Sequence, residues 1–255
     1  MIQNIFDTHF HLSEEDKMSD FINDAKELGV NWFMEAGAKP GQMEDMLKRL
    51  EPYSNVFAAV GVHPLNVNDF NDDYDLYRSL TKQDQVKAIG EIGLDYYYER
   101  DSRDKQLTVF QTFLNMGKEE GLPSIVHCRN AFEDLFKIIP NQLSREDSFV
   151  VHCFSEDATI AKKVIDLGGM LSFTGLITFK NAETIRQAMA SVPIEKIMFE
   201  TDTPYLTPVP YRGKRNKPAY TRYIAEYAAN YLNMDLQELI NITTQNAFRF
   251  FKLEK

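Results

Sequence analysis

Apolar residues in this chain fall into short runs, separated by longer stretches where they recur every three or four positions. The short runs read as strands and the longer stretches as amphipathic helices. Strands are predicted over 2–6, 31–36, 56–60, 86–89, 123–126, 149–151, 170–173 and 196–199. Helices are predicted over 14–29, 41–50, 105–120, 131–139, 157–167, 184–191, 220–232, 236–241 and 243–251, with a short one in the linker after the third strand. In the first helix Phe21, Ile22, Ala25 and Leu28 form one stripe, and Gly29 is its stop signal. Eight strands alternating with helices require parallel pairing through crossover helices. At 255 residues, with no linker long enough to divide it, the chain is expected to be one α/β domain over 1–255, a (β/α)8 TIM barrel.

The polar residues that end the predicted strands carry the chemistry. The first strand runs into Asp7-Thr8-His9-Phe10-His11. In extended chain every second side chain shares a face, so Asp7, His9 and His11 lie together, with the two imidazoles within reach of one divalent ion. Glu91 ends strand 4, His127 strand 5, His152 strand 6 and Asp202 strand 8. The C-terminal ends of barrel strands meet at one mouth, so these distant residues are expected to converge there. Four of the five histidines and two carboxylates make a ligand set for two divalent ions. A pair of ions about 3.5–4 Å apart needs a bridging group, and Glu91 is the candidate.

Other positions leave alternatives open. His63, before Pro64 at the end of strand 3, is a substrate contact, a partner of a ligand or a plain loop residue. Asp95 either holds a ligand imidazole or caps a loop. Tyr96, Tyr97 and Tyr98 either stack on bases or pack under their loop. Cys128 and Cys153 each follow a ligand histidine and read as small buried hydrophobes. The one dense basic cluster, Tyr211-Arg212-Gly213-Lys214-Arg215-Asn216-Lys217-Pro218, follows Asp202 and suits a phosphate grip or a solvated loop.

Charge and composition narrow the classes. A net charge of −10 argues against a broad basic surface for nucleic acid, though not against an enzyme that holds one phosphate locally. No apolar run approaches a membrane span, no secretory signal is visible, and two cysteines do not make a disulfide framework. A cytoplasmic monomer with no membrane association is the default expectation. No phosphate-loop, dinucleotide or nucleophile-elbow motif is present.

Taken together, Asp7-Thr8-His9-Phe10-His11, Gly61-Val62-His63-Pro64, Gly90-Glu91-Ile92-Gly93-Leu94-Asp95-Tyr96, His127-Cys128-Arg129, His152-Cys153-Phe154, Thr174-Gly175, Thr178-Phe179-Lys180-Asn181, Glu200-Thr201-Asp202-Thr203-Pro204-Tyr205 and Arg212-Gly213-Lys214-Arg215-Asn216 resemble the TatD family of metal-dependent hydrolases. The resemblance spans nearly the whole chain. It implies a metal-dependent deoxyribonuclease, often a 3′-to-5′ exonuclease on single strands. It also implies that His9, His11, Glu91 and Asp202 hold one ion, and Glu91, His127 and His152 a second. Glu91 in place of a strand-4 lysine separates the chain from dihydroorotase-like enzymes. The chain departs from the family in having Lys217 where a Glu is usual, and Glu35 where a small or apolar residue is expected. Glu35 either adds a carboxylate near the site or faces outward.

The expected chemistry is phosphodiester hydrolysis. Glu91, Asp202 and His63 are the catalytic candidates, and Arg129, Lys214 and Arg215 the substrate-binding ones. Two divalent ions are expected, Mg²⁺ or Mn²⁺ in function, with Zn²⁺ or Ni²⁺ also suited to the histidines. The alternative is ester or amide hydrolysis at the same site, such as deacylation of a mischarged transfer RNA. A metal-binding protein without turnover is a third class.

Overall fold

The first strand, β1, runs Ile5–Phe10, so it continues through the Asp-Thr-His motif instead of stopping at Phe6. The computed structural model describes residues 4–13, 15–99 and 101–253. Ile2 and Glu14, where the first predicted strand and helix begin, lie outside them. The other strands are β2 (Val30–Ala36), β3 (Val56–Val60), β4 (Val86–Asp95), β5 (Ser124–Arg129), β6 (Phe149–Val151), β7 (Met170–Phe173) and β8 (Ile197–Phe199). They form one sheet in the order β1 to β8, and the pairings described are parallel. The helices are α1 (Met18–Glu27), α2 (Met43–Leu50), α3 (Tyr74–Leu80), α4 (Arg103–Glu120), α5 (Phe132–Gln142), α6 (Ala158–Asp166), α7 (Glu183–Ala190), α8 (Thr221–Leu232) and α9 (Leu236–Phe250). Sequential parallel strands alternating with helices are the (β/α)8 TIM-barrel class that the pattern predicted.

By its internal contacts the chain divides into two compact units. The first comprises residues 1–35, 153–165 and 170–255. Here β1 and β8 run side by side. The His11 amide donates to the Thr203 carbonyl at 2.9 Å, and the Asp202 amide to the His9 carbonyl at 3.0 Å. These bonds carry the extended backbone past the apolar run, which is why β1 outlasts its hydrophobic signal. Phe6 packs on Phe248 and Phe251 of the C-terminal segment, with ring centroids 5.9 and 5.7 Å away. Asn246 of α9 donates to the carbonyls of Ile194 and Ile197, both at 2.8 Å, and so ties that helix to the start of β8. Two helices were expected where α9 is continuous. Thr243 does not break it, because its hydroxyl bonds back to the Leu239 carbonyl at 2.9 Å within the helix.

The second unit comprises 36–152 and 166–169. Tyr77 packs edge to face on Phe70 and on Phe113 in its core, and Ile89, Ile92, Phe110 and Val126 are fully buried. Strand β4 extends six residues beyond its predicted end at Ile89 because it stays paired with β5 as far as Asp95 and Arg129. Ile89 pairs with Ser124 and Ile92 with Val126, so three steps on β4 match two on β5. The extra residue is a bulge at Gly90 and Glu91, which re-aims the strand where its chemistry begins.

Candidate metal centre

In the first unit His9, fully buried in β1, and His11, just beyond it, bring their Nε2 atoms to 3.1 Å. Asp202 Oδ1 lies 3.9 Å from His9 Nε2 and 3.7 Å from His11 Nε2. A divalent ion bound at about 2.1 Å holds neighbouring donors about 3.0–3.4 Å apart in octahedral or tetrahedral geometry. Two imidazole nitrogens and a carboxylate oxygen converging this closely fit a divalent cation with little adjustment. Asp202 sits in the left-handed backbone region, φ 54°, which aspartate adopts more readily than most residues when the surrounding backbone gives support. Its backbone supplies it: the amide donates to His9 and the carbonyl accepts from the Tyr205 amide at 2.9 Å.

Asp7 braces this corner. Its Oδ1 accepts from the Thr201 amide at 2.8 Å and its Oδ2 from the Thr201 hydroxyl at 2.6 Å. Burial pushes the Asp7 carboxyl well above the usual carboxylate range, against the pull of both Thr201 bonds. Alternation placed Asp7 with the histidines. Its carboxylate instead pins the residue that precedes Asp202. Spacing gives no signal for this, because the two are 194 positions apart.

In the second unit Glu91, 2% exposed, is the hub. Its Oε1 lies 2.8 Å from His152 Nε2, 3.0 Å from His127 Nδ1 and 3.3 Å from His63 Nε2. His152 Nε2 and His127 Nδ1 are 3.4 Å apart. His63, Glu91 and His127 each offer one ligand atom, all within 4.8 Å of one another. The tautomers separate their roles. Asp95 Oδ2 lies 3.1 Å from His127 Nε2, on the ring edge away from Glu91, so a cation held at Nδ1 would leave the ring proton on Nε2, facing Asp95. His63 Nδ1 accepts from the Leu65 amide at 3.1 Å, so its Nε2 carries the proton and is a donor, not a ligand.

Glycine makes the His127 placement possible. Gly93 pairs with His127 across the strands. Its φ is +145°, and a Cβ there would sit 1.9 Å from the His127 carbonyl oxygen. Glu91 and Asp95, four residues apart on one face of β4, then reach opposite edges of the His127 ring. Burial raises the Asp95 carboxyl, but bonds from His127, Tyr98 and Tyr97 outweigh it and hold it below the usual range. His127 is pushed down by burial and up by Asp95 and Glu91, with a net rise. Asp95 fulfils both readings of it: Oδ2 holds the imidazole, and Oδ1 accepts from the amides of Tyr97 and Tyr98, each at 2.9 Å.

The family model for TatD-related DNases matches residues 6–252. The chain is 39% identical over 259 residues to the uncharacterized metal-dependent hydrolase YcfH of Escherichia coli K12, covering 98% of this chain and 96% of that one. It is 36% identical over 253 residues to the uncharacterized metal-dependent hydrolase YabD of Bacillus subtilis, covering 98% and 99%. The chain belongs to the TatD family. Its fold matches the crystal structure of YjjV, a TatD homologue of Escherichia coli K12, with a TM-score of 0.93 over 100% of both chains at 24% identity.

The remaining candidates of this TatD-family chain are placed as follows. Arg129 is exposed at the end of β5, its guanidinium 4.1 Å from the Tyr97 ring centroid and 4.7 Å from that of Tyr98. In the basic loop Lys214 is exposed, its ammonium 5.5 Å from the Tyr211 ring. Arg215 is paired with Asp16 at 2.6 Å and touches Ser13, two residues past His11. Lys217, the family departure, is paired with Asp24 at 2.5 Å. The loop is thus partly neutralised by the segment after β1. Glu35 does not face outward: it is 2% exposed and pairs across the strands with Phe10. The cysteines are only partly buried. The backbone amide of Cys153 donates to Glu200 Oε1 at 2.7 Å. Among the described residues no helix is long and apolar enough to cross a membrane.

Proposed function

We propose that this TatD-family chain is a divalent-metal-dependent deoxyribonuclease, one catalytic domain over 1–255 that acts in the cytoplasm as a monomer and removes nucleotides from the 3′ end of single-stranded DNA. The observation that carries the reading is the convergence of three imidazoles on one oxygen of buried Glu91. His9, His11 and Asp202 would hold one ion, and Glu91, His127 and His152 another; Glu91 serving both ions is part of the proposal. Such ions, Mg²⁺ or Mn²⁺ in function with Zn²⁺ or Ni²⁺ as alternatives, would lower the pKa of water and neutralise phosphate charge.

The chain's own residues divide the remaining work. Asp202 orients the attacking water and accepts its proton at the carboxylate. The water oxygen bonds to phosphorus as the bond to the 3′ oxygen breaks. His63, its one proton on Nε2, steers that leaving oxygen with a hydrogen bond, and the oxygen takes its proton from water. Arg129, Lys214 and Arg215 hold flanking phosphates, and Arg215 must first release Asp16.

The test is cleavage of 5′-labelled single-stranded DNA by stripped protein resupplied with Mg²⁺, Mn²⁺ or Zn²⁺ in turn. A ladder shortening from the 3′ end, lost in Asp202→Asn and Glu91→Gln, is expected. No cleavage with any metal contradicts the nuclease. Release of free amino acid from aminoacylated transfer RNA would then identify the deacylase alternative.

A further inference from the structure

Tyr97 and Tyr98, at the end of β4, are 58% and 61% exposed and adjacent in sequence. Leaving two large rings in water forfeits apolar burial, and the neighbouring tyrosine behaves differently. Tyr96 folds back, its hydroxyl donating to Asp134 Oδ2 at 2.8 Å beneath the Arg103 side chain. The exposed pair is nonetheless firmly placed. Both amides donate to Asp95 Oδ1 at 2.9 Å. The rings meet edge to face with centroids 4.7 Å apart. The Arg129 guanidinium lies within 4.7 Å of both ring centroids. Arg129 is two residues beyond His127 and so on the same face of β5. The second oxygen of Asp95 holds His127 Nε2 at 3.1 Å. One buried carboxylate therefore fixes both the exposed rings and a candidate metal ligand.

We infer that Tyr97, Tyr98 and Arg129 form a nucleobase subsite for single-stranded nucleic acid, next to the linkage to be cleaved. The inference rests on reading the nearby centre as a phosphodiesterase. An exposed ring offers a face to an unpaired base, and stacking of this kind tolerates any sequence because every base has a π face. Arg129, already engaged with both rings, adds a cation for the stacked base or its 5′ phosphate. A base inside a duplex cannot present its face, so the subsite selects single strands.

The test is equilibrium binding by fluorescence anisotropy, with metal-loaded protein and two short labelled, cleavage-resistant oligomers. One is oligothymidine and the other has the same backbone without bases. The expected result is preference for oligothymidine in the wild type. The double variant Tyr97→Ala, Tyr98→Ala then weakens oligothymidine binding by about tenfold or more and leaves the abasic oligomer unchanged. Tyr97→Phe, Tyr98→Phe keeps the ring faces and holds affinity within about twofold. Equal weakening of both oligomers, no weakening of either, or no preference for bases in the wild type overturns the subsite. A protein that prefers the base-bearing oligomer but cleaves no DNA retains the subsite and loses the nuclease reading. One that cleaves DNA but binds both oligomers alike does the reverse.

Discussion

Asp95 and His127 are joined by a 3.1 Å contact between Oδ2 and Nε2, on the opposite edge of the ring from the 3.0 Å contact of Nδ1 with Glu91. With a cation bound at Nδ1, the outer carboxylate would hold the ring proton on Nε2 and so keep the Nδ1 lone pair for the ion.

Asp95→Asn keeps an oxygen for the Tyr97 and Tyr98 amides but turns an NH₂ toward His127. The imidazole must then accept at Nε2 and carry its proton on Nδ1, where the lone pair is needed. Metal affinity should fall about 10- to 100-fold, read by calorimetric titration of stripped protein with Mn²⁺. Unchanged affinity would show that His127 does not bind through Nδ1.

Gly93→Ala should be among the most damaging small substitutions in the chain. The added methyl meets the His127 carbonyl at 1.9 Å, and the backbone there has φ +145°. Strand β5 has to retreat or the bulge has to open. A loss of about 3 kcal/mol or more is expected in chemical denaturation. A loss under about 1 kcal/mol would mean that the two strands do not approach this closely.

Acid sensitivity should contain a contribution from Asp134. Burial raises its carboxyl, but bonds from Tyr96 and Arg103 outweigh this and lower it below the usual value. The folded state therefore gives up this proton more readily than the unfolded chain does. The stabilisation is complete above the ordinary value of about 3.9 and is lost as pH falls through the lowered one. The thermal midpoint of Asp134→Asn should lie below wild type at neutral pH, and the gap should close below about pH 4. A gap that does not change with pH would remove the carboxylate from the account.

Much of this architecture is legible in the amino-acid sequence. Strands β3, β6 and β7 begin and end where the apolar runs do. Strands β1, β4 and β5 do not, because polar residues such as His9, Glu91 and His127 interrupt the apolar pattern while the backbone pairing continues. The histidines stand out in the sequence because each follows an apolar run. Asp7 and Glu200 were missed because their partners, Thr201 and the Cys153 amide, are brought to them only by the fold. Glu35 read as ambiguous because one charged residue in a strand gives no sign of which face it takes, and it is buried. Tyr96, Tyr97 and Tyr98 are chemically identical in the sequence. Only the position of Asp134 separates the packed ring from the exposed ones.

The most direct measurement is the metal content of the protein itself. Stripped wild type, Asp202→Asn and Glu91→Gln would be titrated with Mn²⁺ and the free ion followed by electron paramagnetic resonance. Two bound ions per chain in the wild type are predicted, with weakened or lost binding in each variant and folding intact by circular dichroism. A wild type that binds no ion, or variants that bind as the wild type does, would contradict a metal centre built on these residues.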